Sequence, residues 1–351
     1  MKQTIKSLRL VAVLILALLI LAGCGRQLSL EETAELKRPA LQIAESYGSY
    51  VIPWYLDAAK DAQEKGTLNF YFMSTNNMPF QEDSEAPGKW GDSCLVVFPN
   101  GETMLIDGGD SGYEELLVQN LTYLGVEKLD YVVLTHPHSD HCWAIVKTGG
   151  LMDRMEIGHV YHNGMYNTGW GENMKIIETK TEQKGIPLTV WKAGDTMQIG
   201  DVSIEILGPG PEAAGVETDT TAVLNNNSLM IRFDYKEFSA LFVGDIYVKA
   251  EMDYISDIPD KLDVDLLKIP HHGRTTSSSS AFIKKVTPEV AVATGGVALQ
   301  PEIYKAYAKR GTDVYLDYCD GYICVSSDGN ELTVVTSHER NTDVYDRYDQ
   351  D

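Results

Sequence analysis

Five of the eight histidines in this chain fall in two short clusters, and each cluster directly follows an apolar run that reads as a buried strand. The first is Thr135-His136-Pro137-His138-Ser139-Asp140-His141, after residues 131–134. The second is Pro270-His271-His272-Gly273, after residues 266–269. Between them, Phe242-Val243-Gly244-Asp245 carries another apolar stretch into an acid. A strand that ends in a tight turn can point several side chains into one cleft. Imidazoles and carboxylates are the ligands that zinc and other borderline metals take. Each cluster has a plainer reading by itself: a polar strand end, a surface histidine pair, a Gly-Asp turn. Three together call for a fold that gathers strand ends at one edge, around metal.

The pattern along the chain supplies such strands. Apolar runs predict strands at 68–73, 93–99, 103–106, 129–134, 188–191, 202–207, 228–234, 240–243, 266–269, 290–293 and 332–335. Helical spacing marks 39–65, 114–124, 173–184, 280–286 and 302–309, and the serines at 277–280 read as the lead-in to a helix cap. A hairpin is expected around Asp320-Gly321, flanked by Cys319 and Cys324, either disulfide-bonded or as buried free thiols. Strands interleaved with helices indicate a layered α/β protein.

The first residues carry a different message. Lys2, Lys6 and Arg9 precede 13 unbroken apolar residues, 10–22, a run too short to span a bilayer but of the length of a secretory signal. It ends in Leu21-Ala22-Gly23-Cys24, which resembles a bacterial lipobox. The expectation is a signal at 1–23, lipidation of Cys24, and an exported protein anchored to the outer face of a membrane. Residues 24–66 are then a tether and helical lead-in, 67–337 the main domain, and 338–351 a polar tail.

His-x-His-x-Asp-His, a later Gly-Asp and a later His form the pattern of the metallo-β-lactamase superfamily, which the chain resembles from about residue 68 to 335. Met104-Leu105-Ile106-Asp107-Gly108-Gly109 is similar to the early strand of that family. Gly91-Asp92-Ser93, Asn227-Ser228-Leu229 and Lys268-Ile269-Pro270-His271-His272-Gly273 look like the ComEC-type domains and the teichoic acid phosphorylcholine esterases. The resemblance implies a four-layer αββα sandwich and two divalent metals, zinc foremost and manganese as the alternative. It implies His136, His138, Asp140, His141, Asp245 and His271 as ligands, with His271 preferred to His272. Asp245 would bridge the metals, and with Asp140 it would serve catalysis. Asp107 would support the site. Asn227 is a candidate for holding a substrate oxygen, since Asn225-Asn226-Asn227 stands where many members carry another histidine. Cys142 replaces a small residue and reads as a buried thiol. His162 and Tyr166, in a stretch rich in aromatics, are candidates for lining the cleft.

The implied chemistry is hydrolysis: water held by the metals loses a proton near neutral pH and attacks phosphorus or a carbonyl carbon. Charge bears on the substrate. The chain has 29 basic and 51 acidic side chains, net -22, and loss of residues 1–23 removes three bases and no acid. A protein that neutralises a long phosphate track should be basic. The reading is therefore a small or envelope-linked phosphodiester, with a ComEC-like extracellular DNase, and a non-catalytic surface binding protein, as the other readings.

Overall fold

The computed structural model describes residues 57–73, 91–169, 171–295 and 299–337. The signal, Cys24 and the tail at 338–351 lie outside them, as does most of the expected helix at 39–65. Its last turns, Ala58–Lys65, are present. They bury Ala58 and Ala62 against the core, and Ala58 N–H donates to the Leu124 carbonyl.

Two sheets carry the fold. The larger has eight strands, in the spatial order Leu332–Thr336, Ile323–Ser327, Leu68–Phe72, Cys94–Val97, Thr103–Ile106, Lys128–Leu134, Glu156–His162, Leu188–Val190. The other has seven, in the order Asp313–Leu316, Val290–Ala293, Leu266–Lys268, Phe238–Phe242, Met230–Tyr235, Val202–Gly208, Thr196–Ile199. Alternate residues of each strand serve different layers, as the pleat requires. In the first sheet Val96, Met104 and Val133 point inward to meet Ile204, Phe233, Phe242 and Val292 of the second. Val97, Leu105 and Val132 point outward against Leu117, Leu121, Ile145 and Ile177 of the covering helices Glu114–Tyr123, Ser139–Val146 and Asn173–Lys184. On the far side, Leu241, Leu267 and Ala291 pack on helices Val248–Asp257, Ser280–Val286 and Pro301–Ala308. The result is the expected αββα sandwich.

Phe70 sits at the centre of the inner layer. Its ring lies 5.5 Å from that of Phe233, edge-on, and 5.6 Å from that of Phe242, stacked. Such burial dominates core energetics.

The elements that matter most for the site are parallel. Thr103–Ile106, Lys128–Leu134 and Glu156–His162 run side by side in one sheet, and Phe238–Phe242, Leu266–Lys268 and Val290–Ala293 in the other. Parallel neighbours end at the same edge. The residues after them, Asp107, Thr135 to His141, Asp245 and His271-His272, therefore emerge together.

Two expectations fail here. Residues 156–162, absent from the strands expected above, form a full strand paired with Lys128–Leu134. The expected hairpin at Asp320-Gly321 is a crossover: Asp313–Leu316 belongs to the seven-stranded sheet, Ile323–Ser327 to the eight-stranded one, and helix Asp317–Asp320 joins them. Asp320 Oδ2 accepts from Leu316 N–H at 2.8 Å, which fixes the turn. Cys324 is a free thiol pushed up to about 12 by burial.

Phe70→Ala should cost about 3–5 kcal/mol of stability, the usual range for emptying an aromatic core position. Chemical denaturation measures it, and far-UV circular dichroism at low denaturant should be unchanged.

Candidate metal centre

Asp245 lies at the centre of the convergent strand ends. It is 2% exposed. Its Oδ2 is 3.3 Å from His141 Nε2, 3.5 Å from His272 Nε2, and 3.9 Å from both His136 Nε2 and His271 Nε2. Two neighbours fix its position. Its N–H donates to Ser228 Oγ at 3.1 Å. Gly244 before it has φ +52°, and a Cβ there would stand 2.6 Å from Ser228 Cβ, so only glycine fits.

His141 enters from the first turn of helix Ser139–Val146 and is fully buried. Asp107, just past its strand, takes Thr135 N–H on Oδ1 at 2.8 Å and Thr135 Oγ–H on Oδ2 at 2.6 Å, and its Oδ2 lies 2.7 Å from His141 Nδ1. This contact fixes the ring and turns Nε2 toward Asp245. A carboxylate behind an imidazole is the usual support for a metal-binding histidine.

His272 is held in the same way by a residue whose role the sequence did not reveal. Asp92 Oδ1 lies 3.1 Å from His272 Nδ1, and its Oδ2 is 2.6 Å from Lys268 Nζ. Thr294 Oγ–H also donates to Asp92. Gly91-Asp92-Ser93 and Lys268 were legible as a motif, but nothing in the sequence linked them to one another. The other imidazoles are also placed. His136 is buried, with Nε2 at 2.9 Å from His138 Nδ1.

Asp140, His141, Asp245 and His272 bring one ligand atom each within 4.8 Å of one another. His272 therefore takes the place expected for His271. Both residues have left-handed backbone, φ +57° and +48°, so the chain turns sharply between them. The turn aims His272 at the carboxylates and leaves His271 on the cleft wall, 4.9 Å from the ring of Tyr247, with its Nδ1 on Thr276 Oγ1. Asn227 is not in the cleft. Its amide bends back to donate to the Val223 carbonyl at 2.8 Å, and it lines a neighbouring cavity. Asn225 lines the cleft instead. His162 is buried and its Nδ1 accepts from Gly164 N–H, while the Tyr166 hydroxyl donates to Glu178; neither faces the cleft. Cys142 is a buried thiol with Sγ 3.2 Å from the His136 carbonyl, its pKa raised well above the ordinary value by burial.

The electrostatics call for cations. Four carboxylates, Asp92, Asp107, Asp140 and Asp245, sit in or just behind the cluster with Lys268 beside them. Burial would push His141 and His272 toward neutrality, but the surrounding carboxylates outweigh it and hold both well above the ordinary histidine range. Burial would likewise protonate Asp245, yet His272 and His141 hold it well below the carboxylate range. Among the described residues, His141 Nε2 and Asp245 Oδ1 have no hydrogen-bond partner. A divalent metal would take the place of the imidazole proton and give both atoms a partner.

The open side of the cluster is a cleft of about 380 Å³, whose lining includes His138, Asp140, Asn225, Asp245, His271, His272 and Arg274, and also Asp110 and Asp219. Among the described residues, Arg274 is the one lysine or arginine in that lining.

Burial lowers His162 to about 4 from its ordinary 6.5. The unfolded chain binds the extra proton between these values, so stability from this group is complete above pH 6.5 and is lost as pH falls toward 4. Replacement by glutamine should make the acid-side loss shallower, by on the order of 3 kcal/mol between pH 6.5 and 4. Urea midpoints across that range measure it.

The chain is 27% identical over 224 residues to ComE operon protein 3 of Bacillus subtilis, covering 59% of this chain and 27% of that protein. It is 28% identical over 231 residues to competence protein ComA of Neisseria gonorrhoeae, covering 65% and 29%. The chain thus spans under a third of the length of these relatives. A solved structure of the metallo-β-lactamase fold protein YhfI from Bacillus subtilis is similar at 14% identity and a TM-score of 0.46, covering 77% of this chain and 100% of that one. The model of the metallo-beta-lactamase superfamily matches residues 87–296. The chain belongs to the metallo-β-lactamase superfamily.

Proposed function

We propose that the protein is a metal-dependent phosphodiester hydrolase, exported and held at the outer face of the cell membrane by lipid on Cys24. The observation that carries the hydrolase reading is the buried cluster of Asp140, His141, Asp245 and His272 opening into a cleft. His136 and His138 stand beside it, and these six residues would hold two divalent ions, zinc first. Bound there, such ions lower the pKa of water and draw off charge that develops on the attacked centre.

The residues do the rest. Asp107 and Asp92 lock the His141 and His272 rings from behind, so that neither must reorganise. Asp245 stays ionised among imidazoles. Arg274 brings a permanent cation to a wall otherwise rich in carboxylates, which favours a substrate with an anionic phosphoryl group over a neutral one. His271 is lowered to about 4, chiefly by burial, and therefore faces the substrate as a neutral imidazole.

A second reading has support of its own. Names among the relatives, competence protein and recombination protein 2, point toward DNA handling. A DNase acting on a single scissile phosphate fits the same cleft. The net charge of -22 weighs toward small or envelope-linked phosphodiesters.

Metal analysis of purified protein should give close to two transition-metal ions per chain, and a chelator should abolish hydrolysis of bis-nitrophenyl phosphate. Absence of metal would overturn the hydrolase. Arg274→Ala should raise KM roughly 10–100-fold, the cost of one charge-assisted contact. Phosphorylcholine esters and single-stranded DNA, assayed side by side, separate the two substrate classes. Cleavage of neither, despite bound metal, would favour a non-catalytic binding protein. For the anchor, wild-type protein should partition with membranes and Cys24→Ala should not.

A further inference from the structure

The three consecutive asparagines 225–227 divide their work. Asn226 Oδ1 accepts from Tyr247 N–H at 3.0 Å, and Asn227 bends back onto its own helix. Asn225, near the end of helix Thr221–Asn226, is 1% exposed and lines the cleft. Its side chain reaches His138, toward whose ring the amide oxygen is turned, and the Tyr247 hydroxyl. Its Oδ1 has no hydrogen-bond partner among the described residues. A buried amide oxygen without a donor is costly to keep, and in a native site it marks a missing partner.

The two halves of the cluster differ in what they offer. Asp140, His141, His272 and Asp245 give two nitrogens and two anionic oxygens in a tight set. On the other side His136 Nε2 and His138 Nδ1 lie 2.9 Å apart, and Asp245 Oδ2 is 3.9 Å from His136 Nε2. The partner that the Asn225 oxygen lacks and the fourth donor that this side lacks are complementary.

We infer that Asn225 Oδ1 is a metal ligand, completing the position formed by His136, His138 and Asp245. The inference rests on the hydrolase reading above. An amide carbonyl is neutral and harder than imidazole, so this position holds zinc less tightly and favours manganese relative to zinc more than an all-imidazole site would. The two positions are then unequal: one firmly held, one exchangeable with its surroundings.

Titration with zinc and with manganese against a chromophoric chelator reads both positions without any assay of activity. Wild-type chain should show two classes of zinc site. Asn225→Ala should keep the tighter class and weaken the other at least tenfold. Asn225→His should tighten that second class for zinc at least tenfold, with less effect on manganese, and should change the visible spectrum of the second cobalt equivalent. Circular dichroism checks that each variant folds. Should Asn225→Ala fail to fold, Asn225→Asp, which keeps the shape and adds charge, must bind the second ion more tightly than wild type. Two sites of unchanged affinity in Asn225→Ala, or in Asn225→Asp where that variant carries the test, would overturn the inference and leave the hydrolase standing. A wild-type chain that takes up no metal would overturn both.

Discussion

The site is organised around one carboxylate. Asp245 Oδ2 lies within 3.9 Å of four imidazole nitrogens and is almost completely buried. A charge so placed is tolerable only if it is compensated at close range. Everything around it serves that need: histidines on several sides, a serine hydroxyl on its N–H, and a glycine that lets the chain turn without a side chain in the way. The same need makes the cluster a natural seat for divalent cations, which supply the compensation in compact form.

The fold delivers these groups through parallel pairing. Strands that run side by side in one direction present their C-terminal ends at a common edge, and two sheets stacked face to face bring two such edges together. The inner aromatic layer of Phe70, Phe233 and Phe242 holds the sheets in that alignment. Behind the ligands lie paired supports of the same design. Asp107 fixes His141 and Asp92 fixes His272, each from the side away from the cleft. Lys268 then balances Asp92, so this support adds no uncompensated charge.

Much of this was legible in the sequence, and the exceptions are instructive. The spacing of His136, His138, Asp140 and His141 after an apolar run was enough to mark a strand end and its chemistry. Asp107 was legible for the same reason. The choice between His271 and His272 was not, because it turns on two successive left-handed residues that no side-chain pattern announces. Asn227 and Asn225 are chemically identical, and only the pitch of a short helix decides which faces the cleft. His162 looked like a site residue by type but is buried and takes no part in the cleft lining. The turn at Asp320-Gly321 resembled a hairpin because local signals report that the chain reverses, not which sheet it joins next.

The sequence by itself determined the layered α/β class, the apolar strands and the ligand types at their ends, since these follow from local periodicity and side-chain chemistry. Tertiary structure alone decided which rings meet Asp245, which carboxylate stands behind which imidazole, and that Asp92, Lys268 and His272 form one unit although 180 residues separate the first from the last. The physical reason is that hydrogen bonds and charge compensation depend on distances of about 3 Å, and such distances between remote residues are set by how strands pair and sheets stack.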